Sequence, residues 1–246
     1  MSDSSPTENE NKIQRALDGK YAFSVKDVLS RSNNLVKKHY SLLLSGCGIV
    51  FLICAILIFI LVSQYPLDAL AEISQGQQFM INLAVIFLLT PITTAMTVLM
   101  AEAEEGRSAS FSELLRYVPA VLPLALAQLL MSILTQLGMW LLVLPGLYLL
   151  VATSFTLPLI ADKKLPITRA LILSCKVVNC YLPAFALLFV IFVALGFIAL
   201  FTLGLALFWI MPFYYATLGL LYSDLFGTQP APATVSNTKD ESTFDA

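Results

Sequence analysis

Charge is scarce in this chain: 12% of its 246 residues are Asp, Glu, Lys or Arg, about half the share found in soluble domains. Four long intervals, residues 39–67, 73–101, 117–161 and 177–223, carry none at all. Together with 58% hydrophobic residues and a mean hydropathy of +0.83, these gaps exclude an ordinary soluble domain. Histidine occurs once, as His39, and no Cys or carboxylate spacing around it resembles a metal site. Beside Tyr40 it reads as an interfacial anchor. The four cysteines form no C-x-x-C pair, and Cys47, Cys54, Cys175 and Cys180 read as small packing residues on the reducing side or within a span. No G-x-x-x-x-G-K-[ST] loop, G-x-S-x-G elbow or H-E-x-x-H is present, which leaves ATP-driven transport by this chain alone without a motif. The chain is therefore expected to be non-enzymatic, with no cofactor, no resident metal and no nucleic-acid partner.

What fills the gaps is apolar sequence. A membrane-spanning helix needs about 20 such residues, so the first two intervals hold one span each and the last two, 45 and 47 residues long, hold two each. The expected fold class is an all-α integral membrane protein of six spans, near 41–63, 79–100, 118–136, 139–161, 182–202 and 204–223. The long intervals divide at Gln136-Leu137-Gly138 and Thr202-Leu203-Gly204, where glycine permits a tight turn.

All 14 Lys and Arg fall in segments that an even number of spans puts on one side. The opposite side has only Asp68 and Glu72. By the positive-inside rule both termini are cytoplasmic. Residues 1–22 are polar without an apolar core of the signal-peptide kind and read as a disordered tail, as do residues 227–246. The membrane domain then runs from 23 to 226.

A short amphipathic segment precedes spans 1, 3 and 5. Its stripe is Val25, Val28, Leu29, Ser32 and Val36 in the first case, Phe111, Leu114, Leu115, Val118 and Leu122 in the second, and Ile167, Ala170, Leu171, Ser174 and Val178 in the third. Each has the i, i+3, i+4, i+7 spacing of one helical face. Ser24 and Ser110 stand three residues before Asp27 and Glu113, as in a capping box, and Pro166 suits a first helical turn. The pattern predicts three pseudo-repeats, each a cytoplasmic interfacial helix followed by two spans. Lys26, Arg31, Lys37 and Lys38 on the first such helix, and Arg169 and Lys176 on the third, are candidate contacts for anionic lipid headgroups.

Polar residues within the spans are neutral: Asn82, Thr90, Thr93, Thr94 and Thr97 in span 2, Gln128, Ser132 and Thr135 in span 3, Thr153, Ser154 and Thr156 in span 4. Interhelical hydrogen bonding explains them, and a path for a neutral substrate is the alternative. The acidic run Glu102-Ala-Glu104-Glu105 reads as a solvated loop facing Lys163-Lys164, with a divalent-ion site the less favoured option. Prolines 91, 145, 158 and 212 lie inside spans, and Pro145 and Pro212 follow the two turn glycines by seven and eight residues, so spans 4 and 6 are expected to kink at similar depth.

Residues 144–181, LPGLYLLVATSFTLPLIADKKLPITRALILSCKVVNCY, carry Pro145-Gly146 opening a span, Pro158 to Ile160 near its end, the charged turn Asp162-Lys163-Lys164, then Ala170-Leu171 and Ser174. In these elements the chain resembles the YciC-like membrane proteins and the related membrane domain of some glycerophosphoryl diester phosphodiesterases. It departs from that pattern at Cys175, where a basic side chain is expected, with Lys176 one place later. The resemblance implies a polytopic bacterial inner-membrane protein; no phosphodiesterase domain accompanies the spans, so no enzymatic activity carries over.

From sequence the favoured reading is a non-enzymatic membrane component, acting in envelope or lipid organisation or beside another membrane protein. A facilitator of a small or lipid-like substrate through kinked helices is the alternative, and a membrane enzyme the third. The topology predicts that a single cysteine at position 70, in a background without the native four, reacts with an impermeant maleimide from the outside of cells, whereas one placed in the tail at 240 does not. External labelling at 240 overturns it.

Overall fold

The computed structural model describes residues 6–64 and 74–229, all helix and connecting turn. Asp68, Glu72, Lys239 and most of the polar C-terminal segment lie outside the described residues. Ten α-helices run in order: α1 (Pro6–Leu17), α2 (Val25–Lys38), α3 (Tyr40–Gln64), α4 (Gln75–Glu104), α5 (Val121–Leu141), α6 (Val143–Ala152), α7 (Thr156–Lys163), α8 (Ile167–Cys180), α9 (Leu182–Phe201) and α10 (Leu207–Phe226). A 3₁₀ helix, Phe111–Ala120, leads into α5.

Among the described residues five segments are long and apolar enough to cross a membrane: α3, α4, the 3₁₀ helix with α5, α6 with α7, and α9. The sixth expected span coincides with α10, which has the length but not the apolarity, because Tyr214, Tyr215, Tyr222 and Asp224 dilute it. Its place in the bundle explains the composition. In α10 a run from Ile210 to Phe226 is mostly buried, and the helix packs against α4, α2, α1, α3 and α9. Helix α4 is its chief neighbour, with 61% of its most apolar stretch buried against 17% for α3 and for α9. The bundle thus has an α4–α10 centre and a periphery of helices whose side chains, such as Leu52, Phe59, Val190 and Phe197, point outward.

That centre depends on Gly219. A Cβ there would lie 2.5 Å from Met100 Cβ, 2.7 Å from the Thr97 carbonyl oxygen and 2.9 Å from Ala101 N, so the two backbones cross closer than any side chain permits. A second close approach joins α5 to α6, where a Cβ on Gly138 would meet the Gly146 backbone at 3.0 Å.

Several details differ from the sequence reading. The turn between spans 3 and 4 falls at Leu142, whose backbone is extended, and not at Gly138, which is the close-packed residue just described. Pro145 explains the shift: lacking an N–H, it cannot bond the Leu141 carbonyl, so the ladder ends there and α6 begins afresh with the proline in its first turn. Pro145 therefore ends one helix and starts another, and does not kink span 4. The interruption of span 4 lies at Thr153–Phe155, between α6 and α7, where Pro158 leaves the Ser154 carbonyl without its i+4 donor. The second turn is at the expected place, with Leu203 and Gly204 both at positive φ. The Thr202 hydroxyl accepts from Ala206 N–H at 3.1 Å, so this apolar, exposed tip satisfies its own backbone.

Two of the three amphipathic segments are regular α-helices. In α2 the Ser24 hydroxyl accepts the Asp27 N–H at 3.4 Å, and Val28, Ser32 and Val36 are buried. In α8, which follows Pro166, Ala170, Ser174 and Val178 are buried. The middle segment is a 3₁₀ helix with Pro119 near its end, and of its stripe only Leu114 is buried while Phe111, Leu115, Val118 and Leu122 stay exposed.

Residues 6–17, assigned from sequence to a polar tail, form α1. Ala16 is buried among residues of α8 and α10, and Asn9 Nδ2 donates to the Thr228 carbonyl at 2.9 Å. The C-terminal boundary moves as well, since Gly227 to Gln229 stay packed on the bundle.

Gly219→Ala forces backbone apart at the α4–α10 crossing and is expected to cost about 1–3 kcal/mol. Gly196→Ala, with no atom within 4 Å of the added Cβ, is the silent control. Unfolding in mixed micelles measures both, and equal stability of the two variants contradicts the crossing as described.

Candidate functional site

Between α4, α5, α6–α7 and α10 lies a cavity of about 450 Å³, within the usual range of about 300–1,000 Å³ for ligand sites. It gathers the neutral polar residues that were scattered over three spans in the sequence: Thr93, Thr94 and Thr97 from α4; Gln128, Ser132 and Thr135 from α5; Thr153 and Ser154 at the helix break. Asn82, Thr90 and Thr156 do not line it. Gln136, Tyr214 and Tyr215 complete the polar wall, and among the described residues no Asp, Glu, Lys, Arg or His lines it.

The hydroxyls divide into two kinds. On α4 and at the break each donates its proton to its own helix: Thr94 to the Thr90 carbonyl at 2.7 Å, Thr97 to Thr93 at 3.2 Å, Thr153 to Leu149 at 2.8 Å and Ser154 to Leu150 at 3.2 Å. Their oxygens keep lone pairs as acceptors. Across the cavity Gln128, Ser132, Thr135, Gln136, Tyr214 and Tyr215 make no hydrogen bond among the described residues and keep donors available. At membrane depth an unmatched polar group costs several kcal/mol, so this wall calls for water or a polar ligand.

The broken helix is part of the same construction. Ser174 of α8, fully buried, donates through Oγ to the Ala152 carbonyl at 2.7 Å and accepts the Phe155 N–H at 3.3 Å. One hydroxyl thus satisfies both sides of the break, and Pro158 lines the cavity beside it. The Thr156 hydroxyl, wholly buried, finds no partner among the described residues. Pro145 and Gly146 sit at the opposite end of α6 and take no part.

The charged groups collect at the other pole. Arg31 was a candidate headgroup contact, yet it turns inward: Nη1 and Nη2 donate to Asp224 at 2.9 and 3.0 Å, and Nη2 also to Glu104 at 2.8 Å. The Tyr21 phenol donates to the same Asp224 at 2.6 Å. Asp224 holds the Arg31 pKa above its ordinary value, while burial, seconded by Asp224, pushes the Tyr21 phenol up. The acidic run is not a solvated loop. Glu102 takes Arg116 at 2.6 Å, and Glu105 takes Arg107 at 2.6 Å and Lys12 at 3.2 Å, because carboxylates brought to the edge of an apolar bundle need cations close by.

Glu105 also accepts the Thr228 N–H at 3.1 Å and the Thr228 hydroxyl. Burial pushes its pKa up, but the Thr228 bonds and Lys12 outweigh it and hold the carboxyl below its usual range. Asp162 accepts from the Tyr222 phenol at 2.8 Å and from Gln229 N–H at 3.1 Å. Lys163 is half-buried, and Lys164 adopts a left-handed backbone that caps α7. Lys26, Lys37, Lys38, Arg169 and Lys176 are exposed. A second cavity, of about 640 Å³, joins Glu102, Asp162, Arg116 and Lys164 at this pole, but both carboxylates already have partners. Among the described residues no three His, Cys, Asp or Glu cluster to hold a metal ion.

Gln136, Tyr214 and Tyr215 are the cavity residues that sequence reading missed. The only available signal was the crowding of tyrosine into the last span. Compared with known proteins, the chain matches no family model, no curated protein and no solved structure. These comparisons neither support nor oppose the YciC-like membership expected from the sequence.

Ser174→Ala leaves an N–H and a carbonyl unpaired at the break, at a cost of about 1–3 kcal/mol. Amide exchange at Phe155 is expected to quicken at least about tenfold, since about 1.4 kcal/mol is a factor of ten; unchanged protection there contradicts the bridging role.

Proposed function

We propose that this chain is a multi-pass membrane protein, with α10 as its sixth span and both termini cytoplasmic, that binds an uncharged polar or lipid-like molecule in the α4–α5–α10 cavity and eases its passage across the bilayer. The observation that carries this reading is the cavity's lining: hydrogen-bonding side chains from three helices and the helix break converge, with no formal charge among the described residues that line it. Charge-free walls select against ions, and groups unpartnered at membrane depth favour a ligand that brings its own donors and acceptors. A helix broken at Thr153–Phe155 beside the cavity supports the same reading, because irregular backbone at that depth is tolerated where it is buried or lines a cavity.

α10 qualifies as a span by position. Flanked by other helices it need not match the hydrocarbon, so tyrosines that lipid would penalise are admissible there. The bacterial inner membrane is the location that the YciC-like resemblance implies. Exposed Lys26, Lys37, Lys38, Arg169 and Lys176 supply contacts to anionic headgroups. No chemical step on the ligand is part of the reading.

Proteoliposomes test it with two uncharged probes, glycerol followed by stopped-flow light scattering and a fluorescent monoglucosyl diacylglycerol followed by leaflet-specific quenching. At least one is expected to cross severalfold faster than in protein-free vesicles, and Ser132→Phe, which fills the cavity, returns the rate to baseline. Vesicles inert to both probes favour the structural role in envelope organisation that the sequence alone suggests.

A further inference from the structure

We infer that the ligand is an amphiphile with an uncharged, hydroxyl- or amide-bearing head and at least one apolar chain, the head lying in the polar cavity and the chain in a neighbouring apolar one. The inference rests on the reading above and narrows it to a substrate class.

The second chamber has about 230 Å³ and lies between α6, α9 and α10. Phe185, Leu188, Phe189, Phe192 and Val193 of α9 line one side, and Thr217 and Leu221 of α10 the other. The two chambers share a wall: Leu150, Ser154, Tyr214 and Leu218 line both. On one side of those residues the surroundings are threonine, serine and glutamine, and on the other they are phenylalanine, leucine and valine. A molecule filling both must change from polar to apolar along its length.

Exposure shows where the chain would lead. Val193, which lines the apolar chamber and not the polar one, is 41% exposed, so that side of the chamber is within reach of the acyl chains of the proposed membrane. Phe189 and Phe192 lie deeper. A chain seated there stays continuous with the lipid phase while its head is held among hydrogen-bonding groups. Ser154 belongs to both chambers and to the helix break, so the place where the backbone is irregular is also where the character of the lining changes. Among the described residues no Asp, Glu, Lys, Arg or His lines either chamber, so none of them offers a charged headgroup a partner there.

Native mass spectra of the full chain, titrated separately with monoglucosyl diacylglycerol, glucose and phosphatidylglycerol, test the inference. The glycolipid is expected to bind at least about tenfold more tightly than glucose. Val193→Trp, which fills the apolar chamber, should weaken glycolipid binding by a similar factor and leave glycerol flux unchanged. Ser132→Phe should abolish both. Glucose bound as well as the glycolipid, or glycolipid binding indifferent to Val193→Trp while Ser132→Phe still acts, overturns the amphiphile and leaves the cavity reading standing. Phosphatidylglycerol displaced by Val193→Trp as readily as the glycolipid also overturns it, because the head would then not be selected. Binding of neither sugar probe, with no glycerol flux, removes both proposals together.

Discussion

The crossing of α4 and α10 at Gly219 is the contact on which the rest of the bundle depends. Where backbone meets backbone there is no room for a side chain, and the other helices pack around the pair. The compositions of the helices follow. α3 and α9 touch the centre with a few residues each and are apolar all round, whereas α10 carries three tyrosines and Asp224 because its neighbours are protein. A hydropathy criterion measures affinity for lipid, and the most central helix has least need of it.

The same centre obliges the charges to organise. α4 and α10 deliver Glu102, Glu104, Glu105 and Asp224 to one pole, half in and half out of an apolar bundle, where isolated carboxylates would be costly. The answer is pairing across distant segments: Arg31 from α2, Arg107 and Arg116 from the link between α4 and α5, and Lys12 from α1. These contacts are why α1 and residues 227–229 are ordered parts of the protein despite their polar composition. Each holds what an apolar segment cannot, a partner for a buried carboxylate.

The helices on either side of the charge gaps were legible because a gap in charge is a property of the sequence itself, independent of packing. The limits of that legibility lie at prolines and at pairs. Gly138 looked like a turn because glycine permits one, but Pro145 decides where the hydrogen-bond ladder stops, and Gly138 is small for the sake of Gly146. Pro158 breaks span 4 through a carbonyl four residues earlier, a displacement that reading kinks at the prolines themselves obscures. Arg31 has the composition of a headgroup contact, and nothing local to α2 announces Asp224, 193 residues away. The cavity was half legible: its threonines, serines and glutamines stood out as neutral polar residues in apolar runs, but their convergence is a matter of tertiary structure.

Ser174 ties these parts together. It sits on α8, a helix outside the set of candidate spans, yet its hydroxyl closes the break in the wall of the membrane-level cavity. Without that bridge α6 and α7 would have either to rejoin as one helix, with the Ser154 carbonyl left without a donor at Pro158, or to leave the Ala152 carbonyl and the Phe155 N–H unpaired in an apolar setting. The position of Thr153 and Ser154 on the cavity wall is thus set by how α8 packs. Ala170, Val177 and Val178 hold α8 in the same hydrophobic cluster as Phe155, Leu159 and Phe226. A displacement of α8 at the charged pole would therefore be felt first at the break, where the polar and apolar chambers meet, and the geometry of the candidate site is inseparable from the seating of that one helix.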